Sequence, residues 1–93
     1  MTFYQVHAEM KSTGLIFGYG WFESLATAVG HAYNEADSMV DDDVRNYHYN
    51  ANDFFFTPVY ELEGGENFGF DVKRKTDNGE NVVYTFYIIK FCR

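Results

Sequence analysis

The sequence predicts an α+β fold in which a mainly antiparallel sheet of about five strands carries one packed helix, in the order β-β-α-β-β-β. Three observations lead there. Apolar residues alternate along segments near both ends of the chain, they take up helical spacing once, over about 24–41, and Gly- or Asn-containing turns separate the strand-like runs. The 93 residues contain no Pro/Ser-rich linker and no low-complexity stretch, so 1–93 is expected to be a single domain. Aromatic residues make up 20% of the chain. Each can bury on the order of 150–250 Å², which brings a core within reach of a small domain that lacks disulfides.

The first strand is read from Phe3 to Met10, with Tyr4, Val6, Ala8 and Met10 on one face and Gln5, His7 and Glu9 on the other. Ser12-Thr13-Gly14 turns the chain, and Leu15 to Tyr19 returns as the second strand of a hairpin. Gly18 and Gly20 point to a bulge or a close backbone approach, with Trp21 expected to fold into the core. Ser24 suits a helix N-cap, since its hydroxyl accepts from an unpaired first-turn amide. Leu25, Ala28, Val29, Ala32, Ala36, Met39 and Val40 then form one apolar stripe. Asp42 to Asp53, polar and rich in Asn, reads as a loop with room for a short helical turn. Strand character returns from Phe54 to Leu62, where Pro58 belongs at an edge or bulge because it cannot donate to a ladder. Gly64-Gly65 turns the chain, Phe68 to Lys73 alternates, and Asn78-Gly79 signals a type I′ hairpin. Both faces of the final strand, Val82 to Cys92, are apolar, which places it centrally; the order of the strands stays open.

Composition excludes several classes of function. Cys92 is the only cysteine, so an intramolecular disulfide is impossible and a reducing, cytoplasmic compartment is expected. The segment Met1-Thr2-Phe3-Tyr4-Gln5 has neither the basic nor the apolar part of an export signal, and no apolar run is long enough to span a bilayer. A net charge of −7 argues against direct binding to duplex nucleic acid, which needs Lys and Arg to replace counterions. The charge is also unevenly spread. Between Glu23 and Glu66 lie ten acids (Glu23, Glu35, Asp37, Asp41, Asp42, Asp43, Asp53, Glu61, Glu63, Glu66) against Arg45 alone, whereas Asn67 to Arg93 holds three acids and five bases.

No catalytic or cofactor motif emerges. His31 and Glu35 share a helix face but are only two ligands, and zinc wants four positions filled; His7 and His48 are scattered, so no metal or cofactor is expected. Gly18-Tyr19-Gly20-Trp21 precedes a helix but lacks the Lys-Ser/Thr pair of a phosphate loop and the parallel βαβ setting of a dinucleotide site. Ser24 and Cys92 are nucleophile candidates without a base nearby in sequence, and the chain is read as a non-enzyme.

The run Asp41-Asp42-Asp43 is the oddity. At a helix C-terminus such charges oppose the macrodipole, at a cost of roughly 0.3–1 kcal/mol each. The ordinary account is a solvated loop. The functional account is an anionic patch of Glu35, Asp37, Asp41, Asp42, Asp43 and Asp53 kept for a cationic partner, since the run lacks the alternate spacing, central Gly and terminal Glu of an EF-hand. Tyr47 and Tyr49, interleaved with Asn, suit a contact surface as well as a core roof. Lys73, Arg74 and Lys75 read as a soluble hairpin tip.

In size, acidity, aromatic content and its acidic set, Glu35, Asp37, Asp41, Asp42, Asp43 and Asp53, the chain resembles small phage-encoded inhibitors of the anti-CRISPR and anti-restriction type. That resemblance implies a host cytoplasmic, non-enzymatic protein that occludes a nucleic-acid-binding surface of a defence or nuclease complex. Glu35, Asp37, Asp41, Asp42, Asp43, Tyr47, Tyr49 and Asp53 are then the expected contacts to a larger partner with a basic surface. Reversing Asp41, Asp42 and Asp43 to lysine is expected to abolish binding and spare the fold. Two alternatives stand beside it: an accessory subunit that self-associates, as a homodimer or through a strand edge, and a domain that binds a small molecule between helix and sheet.

Overall fold

In a computed structural model the chain is described over residues 1–62 and 64–92. Glu63 and Arg93, counted above among the acids and bases, lie outside the described residues. The first two strands, β1 (Thr2–Met10) and β2 (Ile16–Phe22), form the expected hairpin, and helix α1 (Leu25–Tyr47) follows. A 3₁₀ turn at Ala51–Asp53 then leads to β3 (Phe54–Phe56), β4 (Tyr60–Glu61), β5 (Phe68–Thr76) and β6 (Gly79–Cys92). All pairings are antiparallel, in the order β2-β1-β6-β5-β3, with β4 also on β5. The expected order of elements holds. The sheet has six strands because the run expected over 54–62 is divided around Pro58 into β3 and β4, both on β5. A residue with no N–H cannot extend the ladder between them.

Alternation decides which residues meet the helix. Val6 and Ala8 of β1, Phe70 and Val72 of β5, and Tyr84, Phe86 and Ile88 of β6 pack against Ala28, Ala32, Ala36 and Val40 of α1. Alanine on the helix lets its backbone lie close to the sheet, which supplies the bulk: the Phe70 and Phe86 rings stack at 5.0 Å and 3°. Burying side chains of this kind stabilises by roughly 1.5–3 kcal/mol each. β6 lies between β1 and β5, as its two apolar faces require.

Ser24 caps α1 as expected, accepting from the Thr27 amide at 3.2 Å. The far end differs from expectation. The helix runs 23 residues and stops at His48, which takes a left-handed conformation (φ 57°, ψ 34°). Asp42 and Asp43, expected to begin a loop, are therefore helical like Asp41. Val44 and Tyr47 extend the apolar spacing of Val40, and Arg45 pairs with Asp42 at 2.6 Å, offsetting charge that the macrodipole disfavours.

Two further expectations are corrected. Trp21 does not enter the core. A bulge opposite Gln5 to His7, where Gly20 takes φ +87°, turns Trp21 onto the helix-free face beside Gln5 and leaves it 56% exposed. The β5–β6 hairpin forms, but its turn residues are Asp77 and Asn78; a type I′ turn at Asn78-Gly79 needs positive φ at both, and only Gly79 has it.

Candidate functional site

The sequence places the expected contacts on α1 and just beyond it, and the structure sorts them into three groups. Tyr33 marks one flank of the helix: its ring stacks on Phe70 at 4.1 Å and its hydroxyl donates to the Thr57 carbonyl at 3.0 Å, on the β5–β3 side. Asp37 and Asp41 follow Tyr33 at intervals of four, so they stand on that flank, exposed. Asp53, half-buried in the 3₁₀ turn that enters β3, lies on the same side. Among the described residues no cation pairs with Asp37, Asp41 or Asp53.

Glu35 is ~200° around the helix from Asp37. This opposite flank overhangs β2, since His31 packs on the Phe22 ring at 4.8 Å and Tyr19 donates to the Met39 sulfur at 3.6 Å. Glu35 and Asp42 share it, and both are engaged, Glu35 with His31 at 3.6 Å and Asp42 with Arg45 at 2.6 Å. The neighbouring Tyr19 hydroxyl is raised above the usual tyrosine value, by burial first and by the Glu35 charge second.

Asp43 faces inward. It accepts from the Tyr84 hydroxyl at 2.5 Å, and Tyr84 is only 5% exposed. Burial, then this bond and the charge of Asp43, push the Tyr84 hydroxyl well above the usual range. Tyr47 and Tyr49 lie 5.5 Å apart, Tyr49 reaches Phe54 at 6.1 Å, and the Arg74 guanidinium sits 4.0 Å over the Tyr49 ring. Asp43, Tyr47, Tyr49, Phe54, Arg74 and Tyr84 line a hollow of about 430 Å³ at the end of the helix. Arg74 is thus more than part of a charged hairpin tip, a role that spacing along one strand could not reveal.

The helix-free face of the sheet carries two features that residue-by-residue reading missed. One is an aromatic cluster in which Trp21 meets Phe3 at 6.3 Å and Phe91 at 5.3 Å around a hollow of about 290 Å³. Part of its signal was present in the alternation of Phe3 with Tyr4, but that Phe91 lies beside Phe3 follows only from the β1–β6 register. The other is a polar network. Asp71 accepts from Thr85 at 2.8 Å and from Tyr60 at 3.1 Å, while Glu9 accepts from Lys11 at 2.6 Å and from Tyr87 at 3.0 Å. Lys11 and then Tyr87 hold the Glu9 carboxyl below its usual value, and burial followed by the Asp71 charge raises Tyr60 to about 12. Gly69 makes room for Tyr60: a Cβ there would meet the ring at 3.2 Å and the Phe86 carbonyl oxygen at 3.0 Å.

Among the described residues no three His, Cys, Asp or Glu side chains converge as metal ligands, and no helix is long and apolar enough to cross a membrane. Comparison with protein-family models, with curated proteins and with solved structures found no match to this chain.

Proposed function

We propose that this chain is a non-enzymatic binding protein, an inhibitor that lays the acidic β3-side flank of α1 on a basic, nucleic-acid-binding surface of a larger protein. The observation that carries the reading is the state of Asp37 and Asp41: exposed, ~6 Å apart along one helix, and without a cation partner among the described residues. Carboxylates held this way steer association with a basic surface at little cost in ordering, and salt weakens the attraction. Asp53 extends the flank, and Tyr47, 63% exposed at the helix end, offers a rigid ring beside it. The resemblance to small phage-encoded inhibitors supplies the class of target, a host defence or nuclease complex, with the host cytoplasm as the place of action.

The test is capture from a lysate of the source organism or its host, using the tagged protein and an Asp37→Lys/Asp41→Lys variant, washed at low and high salt. The expected result is one nucleic-acid-binding complex that the unaltered protein retains at low salt, that high salt releases, and that the variant fails to capture. Equal capture by the variant contradicts the proposal.

A second reading, a small-molecule site, is favoured by the hollow at the helix end, whose size lies within the range of ligand pockets. A ligand that raises the melting temperature of the protein, and loses that effect in a Tyr49→Ala variant, supports it.

A further inference from the structure

We infer that β2 is the contact strand of a two-fold dimer in which a second copy of this chain pairs with it antiparallel, joining the two sheets. The two edges of the sheet are built differently. On the β5 side the edge is broken into β3 and β4, of three and two residues, with Pro58 between them and Lys75 lying 5.8 Å over the Phe55 ring. Short strands, proline and lysine are the usual protections of an edge against another strand. β2 has none of these three, and its one irregularity is the bulge at Gly20. It is seven residues of Ile-Phe-Gly-Tyr-Gly-Trp-Phe, without charge or proline, bonded to β1 alone among the described strands.

Gly18 is a second, independent observation. Gly20 needs its glycine for φ +87°, but Gly18 has no positive φ, and a Cβ on it would meet nothing within 4 Å among the described residues. Within one chain, then, neither conformation nor packing calls for glycine, although glycine weakens a strand. Glycine there leaves the strand edge open to a close approach from outside the chain. Gly18 pairs with His7 and Trp21 with Gln5, so Ile16, Gly18 and Trp21 all face the helix-free side. Antiparallel pairing of two β2 strands sets Ile16 and Gly18 of one copy against β2 of the other, while each Trp21 ring stays on its own Phe3 and Phe91.

The area is sufficient. Leu15, Ile16, Phe17 and Trp21 are 57%, 64%, 38% and 56% exposed. At ~200 Å² for a large side chain they offer roughly 400 Å² per copy, and with the strand backbone about 1,000 Å² in the pair, the threshold for a specific interface. Two-fold pairing consumes both β2 edges, and the protected β3–β4 edge stops further growth, so the product is a closed dimer. The charges permit it: Asp42, on the flank nearest the axis, is paired with Arg45, while Asp37 and Asp41 face away. The dimer does not depend on the acidic-flank reading.

Sedimentation equilibrium of the full chain between about 1 and 500 µM tests this, at low and high salt. The expected result is a monomer–dimer equilibrium that salt leaves unchanged or strengthens, since both copies are acidic. Ile16→Lys, which places an ammonium where the strands meet, should weaken the dimer at least about tenfold. Gly18→Val should weaken it similarly while the dilute monomer keeps its melting temperature or gains, because the new side chain is in open space in one copy. A monomer at every concentration, an assembly that grows beyond the dimer, or a dimer indifferent to both substitutions overturns the inference.

Discussion

Removing the carboxylate of Asp43 should cost more than removing the hydroxyl it binds. Tyr84 is 5% exposed and its hydroxyl donates to Asp43 at 2.5 Å. In Asp43→Ala that hydroxyl stays buried with no acceptor, and a lost bond to a charged group plus a stranded donor come to about 2 kcal/mol. In Tyr84→Phe the donor is gone and the half-buried carboxylate can turn to water, so the loss is about 1 kcal/mol. Once Tyr84 is phenylalanine, Asp43→Ala has nothing left to strand. The double variant should therefore lose about 1 kcal/mol rather than the sum, a coupling of about 2 kcal/mol. Urea unfolding followed by far-ultraviolet circular dichroism measures all three, and each kcal/mol should appear as ~4–8 °C in melting temperature for a domain of this size. Additive losses, or an Asp43→Ala variant as stable as the parent, would refute the reasoning. The same bond changes how the acidic run is tested: reversing Asp41, Asp42 and Asp43 together puts a lysine against Tyr84, so loss of binding in that variant would report on folding as well as charge.

Other consequences follow from named contacts. Ser24→Ala should destabilise by about 1 kcal/mol in urea unfolding by stranding the Thr27 amide, whereas Ser24→Gly should cost only a few tenths. Gly69→Ala should cost roughly 1–3 kcal/mol, because the Tyr60 ring and the Phe86 carbonyl oxygen occupy the space of the new methyl; Tyr60→Ala should recover part of that loss. Asp37→Lys and Asp41→Lys should each change stability by less than about 0.5 kcal/mol, since both side chains are exposed and without an ion pair among the described residues. At high pH the sign is fixed by Tyr60 and Tyr84, whose folded-state values are raised. Unfolded tyrosine ionises near pH ~10, so from there to about 12 the unfolded chain sheds protons that the folded chain keeps, and stability must fall. A spectrophotometric tyrosine titration should show the last ionisations coinciding with unfolding.

The alternation of Tyr4, Val6 and Ala8, the spacing of Ala28, Ala32 and Ala36, and the cap at Ser24 were legible in the sequence because each is a local signal enforced by one buried face. The helix end was misplaced because the polar, Asn-rich stretch from Asp42 reads as a loop, while what holds it helical is partly non-local: Asp43 is held by Tyr84, 41 positions away. Trp21 was misplaced for a related reason. Its size argues for the core, but the bulge at Gly20 sets the face it occupies. The candidate contacts were legible as residue types and not as a surface. Helical rotation alone separates Glu35 from Asp37, but only the packing of His31 on Phe22 and Tyr33 on Phe70 tells which flank overhangs which edge.

The central claim is that Asp37 and Asp41 occupy the place of nucleic-acid phosphates on a basic partner. Its most direct test is fluorescence anisotropy of a labelled nucleic acid bound to the captured partner, titrated with this protein at low salt. The unaltered protein should displace the nucleic acid, and Asp37→Lys/Asp41→Lys should do so at least about tenfold more weakly. Nucleic acid that stays bound at saturating protein, or equal displacement by the variant, would contradict it.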